Sequence, residues 1–332
     1  MSIDWTPLRE ILDGANRFTI SSHVRPDADA IGSELGLAFL LESLGKTVQI
    51  ANPSATPRHL AFLDPEGRAR KLKDGISPAQ ASDVDVHIVV DTSAWQQLPD
   101  VDQVLRKTAA KKVVIDHHVS GDDLGALVLK DTTASATGVL ITELADFLDI
   151  RPTGQAADAL FCAIATDTGW FKFSNTDSRT LRCAAQLIDD GARANLLYRE
   201  LYERSSPARL RLHSRVLGRA TFVAEGRLGY TFVLQKDYAE TGAHPTDTED
   251  LVNDCLRVDG VECAFILVEQ RTGQVKASFR SRGPVNVAQV AEQFGGGGHT
   301  QAAGATLNGP LQSAQTAVLT AMQTALDESL SE

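Results

Sequence analysis

His23, Asp27 and Asp29 stand close together in the run His23-Val24-Arg25-Pro26-Asp27-Ala28-Asp29. Imidazole and carboxylate groups on one loop can converge on a cation, and two carboxylates two residues apart can face two neighbouring cations. The same run would also serve as a helix N-cap cluster, because Asp is favoured there by both capping and the helix dipole. Three further groups occupy comparable places. Asp91 follows the apolar run His87-Ile88-Val89-Val90, Asp116-His117-His118 follows Val113-Val114-Ile115, and Asp167 sits just after a helical pattern over 157–165. One acid behind one buried strand is readily a loop residue by chance. Repetition at several element ends is harder to dismiss, since in an open α/β sheet those ends converge. Asp and His donors without thiolate suit Mn²⁺ or Mg²⁺, with Co²⁺ a further option, better than a thiolate-seeking metal.

The elements that would position these groups are legible as period and composition. Apolar, β-branched runs of strand length lie at 17–22, 46–50, 84–90, 112–115 and 126–129. Helical patterns follow at 30–44, 135–148, 155–165 and 178–190. Alternation of this kind predicts an α/β fold with a doubly wound, largely parallel sheet. Residues 191–217 are polar, Arg-rich and helical in pattern, and read as a connection. Beyond them strands at 229–234, 263–269 and 275–280 and helices at 287–294 and 313–328 predict a second, smaller α+β domain. The expected division is 1–190, 191–217 and 218–332.

The bulk numbers narrow the function classes. The chain has 332 residues, 43% hydrophobic and 23% charged, which is ordinary globular composition. The net charge of −11 argues against a surface built for long nucleic acid, so a nucleic-acid substrate is expected to be short. The start carries no apolar signal-peptide core, and the best apolar stretch, 31–44, is broken by Glu34 and Glu42. It reads as an amphipathic helix and no membrane span. Cys162, Cys183, Cys255 and Cys263 are scattered, which predicts reduced thiols in a cytoplasmic chain. His59, His87, His213 and His244 stand alone and read as core or surface residues.

The segments HVRPDADAIGS, VVDTS, IDHH and ATDTGWFKFSNT resemble, in order and spacing, the four motifs of the DHH phosphoesterase superfamily. SFRSRG and FGGGGHTQAAGA look like the substrate-binding motifs of the DHHA1 domain, and together the two halves resemble the bifunctional oligoribonuclease and pAp phosphatase group, the nano-RNases. The resemblance implies two divalent cations, with Mn²⁺ first. One would be held by His23, Asp27 and Asp91, the other by Asp29, Asp91, His117 and Asp167. Asp91 would bridge them, His118 would face the substrate phosphate, and Asp116 would orient its neighbours. After DTS the family often carries an arginine shortly before a leucine. Here Gln96-Gln97-Leu98 stand instead, which puts an auxiliary phosphate contact from this loop in doubt.

Two cations about 3.5–4 Å apart can activate a shared hydroxide for attack on phosphorus and clamp attacking and leaving oxygens. The glycine run 295–298 lacks the strand–G-x-G-x-x-G–helix context of a dinucleotide fingerprint. Gly296 and Gly297 would instead let backbone N–H groups approach a phosphate or base, with Arg280, Arg282 and His299 holding the nucleotide. A flexible linker is the alternative for that run.

The implied activity is hydrolysis of short RNA or DNA oligonucleotides, of dinucleotides such as pApA or pGpG, and of 3′,5′-bisphosphonucleotides such as pAp. A cyclic-dinucleotide phosphodiesterase and a non-catalytic nucleotide-binding protein are the alternatives, the second disfavoured because all six ligand positions are intact. No membrane partner is expected, and a homodimer is left open.

Overall fold

The computed structural model describes residues 3–329, which divide into two compact units between Arg204 and Ser205. In the first unit α1 (Thr6–Asp13) precedes β1 (Arg17–Ser21), α2 (Ala28–Ser43), β2 (Thr47–Asn52), β3 (Ala69–Lys71) and α3 (Pro78–Ser82). There follow β4 (Val86–Val90), α4 (Val101–Lys107), β5 (Lys111–Asp116), β6 (Leu127–Lys130), α5 (Thr137–Phe147), α6 (Gln155–Asp167), α7 (Ser178–Asp189) and α8 (Ala194–Tyr202). The six strands form one parallel sheet in the order β3-β2-β1-β4-β5-β6. β4 is buried along its whole length, as a strand covered on both faces should be. The strand order reverses between β1 and β4, and the carboxyl ends of β1, β4 and β5 lie side by side there, which is where such sheets open a crevice.

α2, α5 and α6 pack together beside this crevice. A Cβ on Gly32 would fall 2.3 Å from the Ala159 carbonyl oxygen, so only glycine lets α2 approach α6 this closely. The close approach buries α2 nearly all round. The amphipathic character expected of this helix is therefore corrected. Glu34 is fully buried, and its Oε2 accepts a 2.9 Å hydrogen bond from Asn52 Nδ2 at the end of β2.

The second unit begins with α9 (Pro207–Leu217), so the segment expected as a connection is two helices, α8 in the first unit and α9 in the second. Next come β7 (Thr221–Val223), β8 (Leu228–Val233), α10 (Gln235–Thr241), α11 (Leu251–Leu256), β9 (Cys263–Glu269) and β10 (Gln274–Ser281). α12 (Val287–Glu292), β11 (Gly297–His299), β12 (Ala302–Asn308) and α13 (Leu311–Glu328) complete it. The sheet order is β11-β12-β10-β9-β8-β7, antiparallel except for β8–β9. Val275, Ala277 and Phe279 of β10 pack with Val318 and Met322 of α13 on one face. Ala264, Ile266 and Val268 of β9 pack with Leu212 of α9 and Val252 of α11 on the other. The glycine run is no loose linker. Gly297 and Gly298 belong to an edge strand, and a Cβ on Gly296 would fall 2.2 Å from the Gly304 carbonyl oxygen.

Candidate metal centre

Each acid and imidazole of the candidate centre is delivered by the end of an element. His23 follows β1, and Asp27 is the N-cap of α2, its Oδ1 accepting from Ala30 N at 3.0 Å. Asp29 lies in the first turn of α2, Asp91 immediately follows β4, His117 follows β5, and Asp167 ends α6. Three clusters result: His23–Asp27–Asp91, Asp29–His117–Asp167 and Asp91–His117–His118, with donor atoms in each within 4.8 Å of one another.

Asp91 joins them. Its Oδ2 is 3.4 Å from His23 Nε2 and its Oδ1 is 3.5 Å from His117 Nε2. The same His117 Nε2 stands 3.7 Å from Asp29 Oδ2 and 3.5 Å from Asp167 Oδ2. Asp91 takes a left-handed backbone conformation, φ 60°, an expensive choice for a residue with a Cβ and one that clusters at functional sites. It is buried, with 2% exposure, so it is a part of the packed interior and not a surface loop carboxylate at the strand end.

Hydrogen bonds aim the donors. His23 Nδ1 lies 3.0 Å from the Val24 carbonyl oxygen and His117 Nδ1 lies 3.1 Å from that of Ala134. A backbone acceptor on Nδ1 places the proton there and leaves Nε2 as the lone-pair donor. Asp29 accepts from the Thr137 and Gly138 amides at the start of α5, at 2.7 and 2.9 Å, and from Ser33 Oγ at 3.2 Å. Thr137 Oγ1 donates to Asp91 Oδ1 at 2.9 Å. Asp116 is fully buried and holds His118 Nδ1 at 2.9 Å; it accepts in turn from Ser93 Oγ at 2.7 Å and forms an ion pair with Lys130 Nζ at 3.2 Å.

The electrostatics are those of a site short of positive charge. Burial, then the charges of Asp91, Asp167 and Asp27, hold Asp29 protonated well above the usual carboxylate range. Burial and the Asp91 and Asp27 charges push Asp167 up to about 7. Burial alone would disfavour charged His23, but its contacts with Asp27 and Asp91 prevail and raise it to about 11. His118 is raised too, chiefly by its hydrogen bond to Asp116. Divalent cations would relieve the crowding of Asp27, Asp29, Asp91 and Asp167, and the oxygen-rich donor set fits such ions.

No motif in the sequence marks Thr137, Gly138, Ser33 or Lys130 as part of the centre. Thr137-Gly138 could have been noticed as a helix start. Lys130 could not, because its place beside Asp116 depends on the β5–β6 register, Asp116 opposite Lys130.

In the second unit Arg280 on β10 stands opposite Ala302 on β12, which stands opposite His299 on β11. Arg280 and His299 therefore share a row and a face. Arg282 follows β10 and is exposed, its amide bonded to the Glu262 carbonyl at 2.7 Å. Gly297 stands opposite Gly304. All four cysteines are free and buried. Among the described residues no helix is long and apolar enough to cross a membrane.

The N-terminal domain model of the DHH family matches residues 17–164, and the DHHA1 domain model matches 226–331. A bifunctional oligoribonuclease and PAP phosphatase of Thermus thermophilus is 35% identical over 87% of this chain and 84% of its own length. One of the same name from Bacillus subtilis is 29% identical over 86% of this chain and 87% of its own. Among solved structures, an exopolyphosphatase-related protein from Bacteroides fragilis superposes with a TM-score of 0.86 at 25% identity, covering 96% of this chain and 95% of that one. RecJ of Thermus thermophilus in complex with Mn²⁺ shares the fold at a TM-score of 0.54 and 16% identity, over 97% of this chain and 54% of RecJ. The protein belongs to the DHH family, with a DHH N-terminal domain followed by a DHHA1 domain.

Proposed function

We propose that the protein is a metal-dependent phosphoesterase that hydrolyses very short oligonucleotides, including pApA and pGpG, and 3′,5′-bisphosphonucleotides such as pAp. One observation carries the reading: the Asp91 carboxylate turns one oxygen to His23 and the other to His117, so two donor groups share a single buried acid. His23, Asp27 and Asp91 would hold one cation, and Asp29, Asp91, His117 and Asp167 a second, with Mn²⁺ preferred for this donor set. When bound, two such cations activate a water for in-line attack on phosphorus and neutralise charge on the ester. The relatives' names support the substrate class, since they are called oligoribonuclease and PAP phosphatase.

The chain's own residues then divide the work. Asp116, fixed by Ser93 and Lys130, holds His118 by Nδ1 and leaves Nε2 to donate to a phosphate oxygen. The raised affinity of His118 for its proton favours that donor role. Thr137 and the start of α5 fix Asp91 and Asp29, so the donors need little rearrangement on loading. Arg280, Arg282 and His299, with the backbone at Gly296 and Gly297, would hold the nucleotide part of the substrate. The four buried free cysteines accord with a reducing, cytoplasmic setting.

The test is turnover of pAp, a short RNA, a short DNA and pApA with Mn²⁺, before and after exhaustive chelation. Release of mononucleotide or phosphate that disappears on chelation supports the reading. Undiminished turnover of pAp after chelation, or none of any substrate with Mn²⁺, refutes it.

A further inference from the structure

We propose that the β10–β12–β11 margin of the sheet face flanked by α9 and α11 is a track for the phosphodiester backbone of an oligonucleotide longer than two residues, with Lys276 as its outer cation. The proposal rests on the reading of Arg280 and His299 as nucleotide-binding residues and extends it from a subsite to a length preference. Strand register defines the face. Side chains alternate along a strand, so Lys276, Ser278 and Arg280 point away from the core that holds Val275, Ala277 and Phe279. Directly opposite Arg280, Ser278 and Lys276 on β12 are Ala302, Gly304 and Thr306. On this side α9 and α11 pack against Ala264, Ile266 and Val268 of β9, and α11 also borders β10. Lys276 and Thr306 remain exposed, and Ser278, Arg280, Ala302 and Gly304 partly so.

The result is a shallow floor of small side chains with a cation at each end. None of the face positions on β10, β11 or β12 carries a carboxylate, in a protein whose net charge is −11. Among the described residues Lys276 has no ion-pair partner. Exposed lysines are often placed on edge strands to block aggregation, but β10 is an interior strand, flanked by β12 and β9, so that explanation does not apply. At the usual rise of about 3.3 Å per residue, Lys276 stands about 13 Å from Arg280 along β10. A backbone phosphate beyond the first nucleotide can meet the ammonium there, as single strands are held elsewhere by cations spaced along a groove.

The experiment is binding and turnover of pAp, pApA and 5′-phosphorylated tetra-adenylate by the full chain, the K276Q variant and the K276R variant. Binding is read by fluorescence anisotropy on metal-free protein, at several salt concentrations. We expect K276Q to weaken tetra-adenylate binding about three- to fivefold and to reduce its log–log salt slope by about 0.7, the loss of one phosphate contact on a single strand. K276R should restore both, and pAp should change less than about twofold, within the range of an exposed charge pair. Unaltered tetra-adenylate binding in K276Q, or equal weakening for all three ligands, would overturn the track. Should the wild type turn over none of the three while K276Q still binds tetra-adenylate selectively worse, the proposed hydrolysis fails and the track stands.

Discussion

Replacing Thr137 with valine removes one hydroxyl from a fully buried position and leaves the side-chain shape nearly intact. The hydroxyl donates to Asp91 Oδ1 at 2.9 Å, while the Thr137 amide donates to Asp29 independently of the side chain. Only the Asp91 contact is therefore lost. A hydrogen bond to a charged, buried acceptor contributes about 1.5–3 kcal/mol, and loss of a group that orients a metal ligand typically costs about ten- to hundredfold in affinity or activity. Thr137→Val should accordingly bind Mn²⁺ about ten- to hundredfold more weakly in calorimetric titration of the metal-free protein. Thr137→Ser, which keeps the hydroxyl, should stay near wild type. The far-ultraviolet circular dichroism of both variants should match the parent. If Thr137→Val binds Mn²⁺ as tightly as Thr137→Ser, the claim that Asp91 is held in place by this hydroxyl is refuted.

Other expectations follow from the same geometry. Protons on Asp167, which titrates near 7, and on His23, which titrates near 11, must leave when cations enter. Mn²⁺ affinity should therefore rise about tenfold per pH unit below 7 for each proton displaced, with proton release seen by calorimetry in buffers of different ionisation enthalpy. A pH-independent affinity would contradict the charge assignment. Buried Glu34 is raised from an ordinary 4.5 to about 8, mainly by burial. Its folded form thus favours the neutral acid, and stability present below about 4.5 is lost as pH rises towards 8. Glu34→Gln should match the parent near pH 4.5 and be about 1–3 kcal/mol more stable at pH 8, read as the difference in Tm across that range. No pH-dependent difference would show that the carboxyl is not confined as described. Arg280→Ala should lower kcat/KM for pAp about ten- to hundredfold through KM, as expected for one charge-assisted contact, and leave a small nitrophenyl phosphodiester nearly untouched. Equal losses on both would assign Arg280 to the metal centre or the fold.

What the sequence could and could not disclose follows from how each feature is encoded. The donors His23, Asp91 and His117 stand directly behind β-branched runs, so both the strands and their convergent ends are written locally. β9 begins and ends where its composition changes, at Cys263 and Glu269. β11 and β12 are not legible as strands because Gly297, Gly298, Ala302, Ala303 and Gly304 carry little strand propensity; the pairing of β12 with β10, and of β11 with β12, creates them. The burial of Glu34 is hidden for a related reason, since only the packing of α2 between the sheet and α6 encloses it. The supporting bonds from Thr137 to Asp91 and from Lys130 to Asp116 span 46 and 14 residues of chain, and no local pattern encodes them. Ligands at element ends are thus readable from sequence, and the groups that orient them mostly are not.

One shared acid, Asp91, joins the two halves of the centre. Titration of metal-free protein with Mn²⁺, wild type beside Asp91→Asn, counts the ions directly. The geometry of Asp91 between His23 and His117 predicts two ions per wild-type chain and weakened binding of both in the variant. A single ion in the wild type, or two ions held with unchanged affinity by Asp91→Asn, would contradict it.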